Sequence, residues 1–129
     1  VSHLLDTDVC ISILRGSEPR ARERLRALRE VAVSTITIAE LAYGAARSRA
    51  PEENRVEVER LTRAVDVLDI DAPAAWHAGQ IRAELARLGT PIGGYDLLIA
   101  GVARSRDLML VTANDRECER VPDLRIEAW

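Results

Sequence analysis

The stretch Leu4-Leu5-Asp6-Thr7-Asp8-Val9-Cys10-Ile11, inside the segment from Val1 to Ser12, decides the fold. An apolar run that stops at a carboxylate reads as a buried first strand delivering Asp6 to the carboxyl edge of a parallel sheet, where open α/β folds place their ligand sites. Three later stretches set an acid at or just past an element boundary: Thr37-Ile38-Ala39-Glu40-Leu41, Gly94-Tyr95-Asp96-Leu97-Leu98 and Thr112-Ala113-Asn114-Asp115-Arg116-Glu117. Convergence of these acids with Asp6 on one metal ion is the expectation that organises the rest of the chain.

Outward from that strand, residues 9–14 begin a short helix, and Gly16-Ser17-Glu18-Pro19 restarts the chain with a cap-like Ser and an early Pro. Residues 19–30 are helical in character, with Ala21, Leu25 and Leu28 on one face. This segment carries Arg20, Arg22, Arg24, Arg26 and Arg29 among Glu18, Glu23 and Glu30. A solvated charged face is the preferred reading, and an RNA contact is the alternative.

Residues 31–35 read as a second strand. Thr37 followed three residues on by Glu40 is a capping-box signature, so Glu40 has a structural reading beside a catalytic one. Leu41, Gly44 and Ala45 give that helix a small-residue face suited to close packing. A charged helix runs from Pro51 to about Ala64, and residues 65–70 alternate as a third strand.

Asp71 caps a long helix whose apolar stripe is Ala74, Ala78, Ile81, Leu85 and Leu88, with Gly89 placed to end it. His77, beside that stripe, reads as a packing or surface residue. From Tyr95 a nearly all-apolar helix sets Asp96 at the edge of the core, where an acid that satisfies the helix dipole is the bland alternative. Residues 108–111 form a fourth strand ending at Thr112, and a last strand lies near 124–128. Strands alternating with helices at this density imply an α/β fold, a single-domain α/β/α sandwich over residues 1–129 with a central, mainly parallel sheet.

Composition narrows the function classes. With 47% hydrophobic and 30% charged residues over 129 positions, the chain is long enough to bury a core and is expected to be soluble and folded, not disordered. No stretch approaches the roughly 18 apolar residues of a membrane span, and the expected address is the cytoplasm. Cys10 and Cys118 stand apart and read as reduced, buried thiols, too few with two histidines for a structural zinc site. A net charge of -3 argues against non-specific coating of nucleic acid, though not against local use of it. There is no lysine: all 18 basic residues are arginine.

Asp6, Glu40, Asp96 and Glu117 fall at positions that share one edge of a parallel sheet. Carboxylates gathered there repel one another unless a cation neutralises them, and hard oxygen donors select Mg²⁺ or Mn²⁺. Such a site suits water activation and in-line attack on a phosphodiester.

These stretches resemble the PIN-domain family, in particular its VapC-type ribonuclease toxins from bacterial toxin–antitoxin pairs, and the likeness covers essentially the whole chain. The resemblance implies a metal-dependent endoribonuclease in which Asp6, Glu40 and Asp96 hold the ion and Glu117 completes the acidic quartet. It implies that Thr112 and Asn114 orient water or phosphate, and that the protein is a homodimer obstructed by a small cognate antitoxin. Three positions depart from the family's pattern. Asp8 stands where asparagine is common, Cys118 replaces an aromatic residue, and Asp115 competes with Glu117 as fourth acid, the spacing from Thr112 favouring Glu117.

Two rival readings remain. Asp6-Thr7-Asp8 fits the Asp-x-Asp nucleophile of haloacid-dehalogenase-like phosphatases, but that chemistry wants a later lysine and a paired acidic motif, and neither is present. A silent α/β module that binds RNA or protein would be marked by loss of acids, and all four are here.

Overall fold

Leu4 and Leu5 lie on opposite faces of one strand, and the two halves of the core grow from that alternation. The computed structural model describes residues 2–129, and Val1, the first residue of the deciding segment, lies outside them. Strand β1 (His3–Leu5) is central, with β2 (Val31–Ser34) and β4 (Met109–Thr112) beside it and β3 (Asp66–Leu68) and β5 (Ile126–Ala128) at the edges. The order is β3-β2-β1-β4-β5, and every pairing is parallel. Leu5 is level with Val33 and with Val111, so the residues just beyond them, Asp6, Ser34 and Thr112, end three adjacent strands at one height.

On one face Leu5, Val31, Val33 and Val111 pack against α1 (Thr7–Arg15), α2 (Pro19–Ala27), α3 (Thr35–Ala46) and α4 (Pro51–Ala64), through Val9, Ile13, Ala21, Leu41 and Leu61. On the other, Leu4, Ala32 and Leu110 pack against α5 (Ala72–Leu88) and α6 (Gly94–Ser105), through Ala74, Ile99, Val102 and Ala103. Period-two alternation in the strands thus produces the expected three layers, with a sheet that is wholly parallel. Among the described residues no helix is long and apolar enough to cross a membrane.

Four local expectations change. Helix α3 begins at Thr35, and its N-cap is Ser34, whose hydroxyl accepts the Thr37 N–H at 3.2 Å. Thr37 is therefore inside the helix, and the Thr37–Glu40 capping box does not form. Ser34 wins because it ends β2 and already stands at the turn from strand to helix. Close helix packing falls not on Gly44, around which space is open, but on Gly101, where an added Cβ would lie 2.5 Å from the Ala74 carbonyl oxygen.

The third strand shortens to three residues because, at the sheet edge, it pairs on one side only. The connection after β4 winds into a four-residue helix, α7 (Asp115–Cys118).

Candidate active site

Asp6 leaves β1 at the carboxyl edge and at once becomes the N-cap of α1, its Oδ1 accepting the Val9 N–H at 2.9 Å. Only 8% of its surface is exposed. Burial pushes its carboxyl up to about 6, with smaller upward pushes from the charges of Asp8 and Asp96, against hydrogen bonds from Thr112 and Val9 that favour the ionised form.

Asp96 sits in the first turn of α6 and reaches solvent, outside the apolar face that buries Ile99, Ala100, Val102 and Ala103. Its carboxyl is also raised, first by partial desolvation and then by Glu117, Asp8 and Glu40. Asp96 thus links the four acids singled out from the sequence across this edge: it feels Glu117 and Glu40, and Asp6 feels it. Glu117 rather than Asp115 is the α7 acid whose charge reaches Asp96. Asp8 belongs to the same field, beyond its departure from the family's pattern.

Hydrogen bonds hold the outer members. Glu40 Oε1 accepts from the Thr7 hydroxyl at 2.7 Å, and Glu117 Oε2 accepts from Asn114 Nδ2 in a short contact. Thr112, fully buried, accepts the Asn114 N–H at 2.9 Å and faces the Cys118 thiol at 3.9 Å. Asn114 and Thr112 thus order the loop that carries Glu117. Cys118 lies behind the site with its thiol pushed up to about 11, chiefly by burial, and burial raises the Cys10 thiol too. Both are free, buried and held in the thiol form, as expected.

The donor set suits a hard divalent cation: carboxylates alone, two of them raised in pKa first by burial and then by neighbouring acids. As the side chains stand, among the described residues no three His, Cys, Asp or Glu groups are spaced to hold an ion. Glu40 and Glu117 are instead turned onto Thr7 and Asn114.

Among the described residues no ion pair ties the arginine-rich helix to these acids. Arg22 donates to the Ile13 carbonyl, and Arg24 covers the Trp129 ring and donates to the Ala128 carbonyl. Arg26 and Arg29 line a hollow with Val31 and Asp66, which open β2 and β3 at the opposite edge of the sheet. His77 takes the packing role, accepting from Arg104 Nε at 3.0 Å. What the sequence did not show is Thr7 as the partner of Glu40; its signal was only a hydroxyl between two acids at a helix start.

Beside Glu40 a groove of about 220 Å³ runs between α1, α3 and α4, lined by Ile11, Leu14, Leu41, Gly44 and Val58 among others. It is mostly apolar, with Glu40 and Arg15 among its polar lining.

A family model described as PIN domain matches residues 3–124. The tRNA(fMet)-specific endonuclease VapC of Shigella flexneri is 49% identical, over 98% of this chain and 96% of its own. In the crystal structure of DNA-bound VapBC from Salmonella typhimurium, the matching chain is 49% identical with a TM-score of 0.96, the alignment covering 100% of this chain and 98% of that one. VapBC2 from Rickettsia felis, bound to a DNA fragment from its promoter, gives 31% identity and a TM-score of 0.95 over 100% of this chain and 99% of that one.

Proposed function

The chain belongs to the PIN-domain family, and from that premise we propose that it is a divalent-metal-dependent endoribonuclease, the toxin of a toxin–antitoxin pair, with residues 1–129 acting as one domain in the cytoplasm. The observation that carries the metal and the site is the convergence of Asp6, Glu40, Asp96 and Glu117 at one sheet edge, where Asp6 and Asp96 are raised in pKa by burial and, to a smaller extent, by neighbouring acids. Family membership sets the phosphatase reading aside.

Asp6, Glu40 and Asp96 would hold Mg²⁺ or Mn²⁺, which when bound supplies a more acidic water and offsets charge on the phosphodiester. Glu117, with Oε2 tied to Asn114, keeps Oε1 available to accept a proton from the attacking water. Thr112 and Asn114 set the position of that carboxylate through the loop after β4. Asp8 adds negative charge and an acceptor at the entrance. The name of the Shigella relative makes initiator tRNA the first RNA to try.

An antitoxin is the regulating partner, and the groove beside Glu40 offers its apolar side chains a seat from which the acids are blocked. The homodimer would cover the exposed Trp76 and Tyr95, which belong to α5 and α6.

The test is incubation of purified, antitoxin-free protein with initiator tRNA and with total RNA, with and without Mg²⁺ or Mn²⁺, beside an Asp96→Asn control. Discrete metal-dependent cuts that the variant does not make are the expected result. A folded protein that cuts no RNA in any metal would overturn the reading.

A further inference from the structure

Glu40 accepts a hydrogen bond at Oε1 from Thr7 Oγ1 at 2.7 Å, and a carboxylate has no proton to donate. The hydroxyl proton of Thr7 is therefore committed to Glu40. Thr7 and Thr37 are also in contact, Oγ1 to Oγ1 at 3.1 Å, so in that pair Thr37 donates and Thr7 accepts. Thr37 in turn accepts from Ser34 Oγ at 3.5 Å, while Ser34 Oγ accepts the Thr37 N–H at 3.2 Å. With one proton per hydroxyl, the direction of every link is fixed by the acid at the end.

We propose that the Ser34, Thr37 and Thr7 hydroxyls are a one-way donor chain that fixes where the Glu40 carboxylate points, making Thr7 and Thr37 positioning residues of the site. The inference rests on the nuclease reading above. Ser34 and Thr37 are fully buried and Thr7 is 7% exposed, so water does not stand in for a missing hydroxyl. The chain joins the end of β2 to the first turns of α3 and α1, and Thr7 is the residue next to Asp6. Glu40, a long side chain at a partly open position, is thereby tied to the element that carries Asp6. Its rotamers are restricted before any ligand arrives, the general role of groups that orient metal-binding side chains.

The test uses Thr7→Val and Thr37→Val, which keep shape and remove the hydroxyl, with Thr7→Ser and Thr37→Ser as rescues and circular dichroism to verify folding. Mn²⁺ binding is counted in the absence of RNA from the electron-spin-resonance signal of free Mn²⁺, and kcat and KM are measured separately. Thr7→Val is expected to weaken Mn²⁺ binding roughly 10-fold or more, Thr37→Val less, and the serine variants about 2-fold at most. The loss should appear in kcat with KM nearly unchanged. In the metal-free wild type, the Thr7 and Thr37 hydroxyl protons should give slowly exchanging NMR signals.

Valine variants that bind Mn²⁺ and cut as wild type would overturn the donor chain while leaving the nuclease reading intact. If the wild type itself bound no Mn²⁺ and cut nothing, the nuclease reading would fail instead. The hydroxyl signals would then decide the chain separately: present, it stands as the anchor of Glu40; absent, it falls.

Discussion

Thr112, the last residue of β4, sets its hydroxyl beside the carboxylate of Asp6, the residue that follows β1. That neighbour favours ionised Asp6, yet burial outweighs it, and the carboxyl rises from its ordinary 3.8 to about 6. A raised acid stabilises the folded state while it is protonated. Its contribution is complete below pH 3.8 and is lost as pH rises through about 6. At pH 7 the ionised side chain therefore costs up to roughly 3 kcal/mol. Asp6→Asn keeps an oxygen to accept the Val9 N–H and removes the charge. It should raise Tm at pH 7 by on the order of 5 °C, show little difference at pH 4, and abolish cleavage. Thermal melts from pH 4 to 8 check this, and a variant that melts lower than wild type at pH 7 contradicts it.

A cation bound among these acids offsets the same cost of burying ionised Asp6. Mg²⁺ or Mn²⁺ in excess is expected to raise Tm at pH 7, by an amount equivalent to about 2.7 kcal/mol when the metal is near 100 times its Kd. The shift should shrink at pH 5, where protons compete at Asp6, whose carboxyl is raised to about 6. Asp96→Asn should lose most of it. Scanning calorimetry at two pH values reads all three effects, and a Tm indifferent to millimolar metal would count against the site.

The choice of fourth acid is open to a direct comparison. The charge of Glu117 raises Asp96 and its Oε2 is held by Asn114, whereas Asp115 takes no part in either relation. Glu117→Gln is expected to lower kcat roughly 100-fold, and Asp115→Asn to change it less than about 3-fold. Equal losses in the two variants would return the assignment to the pair.

The clustering of the candidate acids was legible because the strand that buries Leu4 and Leu5 has to end at the first carboxylate, and a parallel sheet puts all such ends on one edge. What escaped depended on neighbours remote in sequence. Ser34 and Thr37 are both plausible caps, and only the point where β2 stops pairing decides between them. The contact of Thr7 with Glu40 joins residues 33 positions apart. Gly44 and Gly101 look alike in sequence, but the helix that lies against α6 is known only from the packing of α5.

That last distinction is measurable. Gly101→Ala drives a Cβ against the Ala74 carbonyl oxygen, the Ala78 nitrogen and the Ala78 Cβ, atoms that cannot yield without shifting the helix, and should cost about 1–3 kcal/mol. Gly44→Ala meets nothing within 4 Å and improves helix propensity inside α3, so a gain of up to about 1 kcal/mol is expected. Urea denaturation of the two variants gives opposite signs if the packing is as described.

The open space at Gly44 also tests the groove. A larger side chain there projects beside Leu41, Ala45 and Val58, which line the groove, while the Thr7 bond to Glu40 is left in place. Gly44→Leu is therefore expected to weaken binding of the cognate antitoxin at least about 10-fold by occupying volume that its side chains would fill, with cleavage by the antitoxin-free protein changed less than about 2-fold. The measurement is titration of antitoxin against RNA cutting by each protein. Unchanged inhibition of Gly44→Leu would place the antitoxin elsewhere, and a loss of cutting without antitoxin would show that the groove and the acids are not separable.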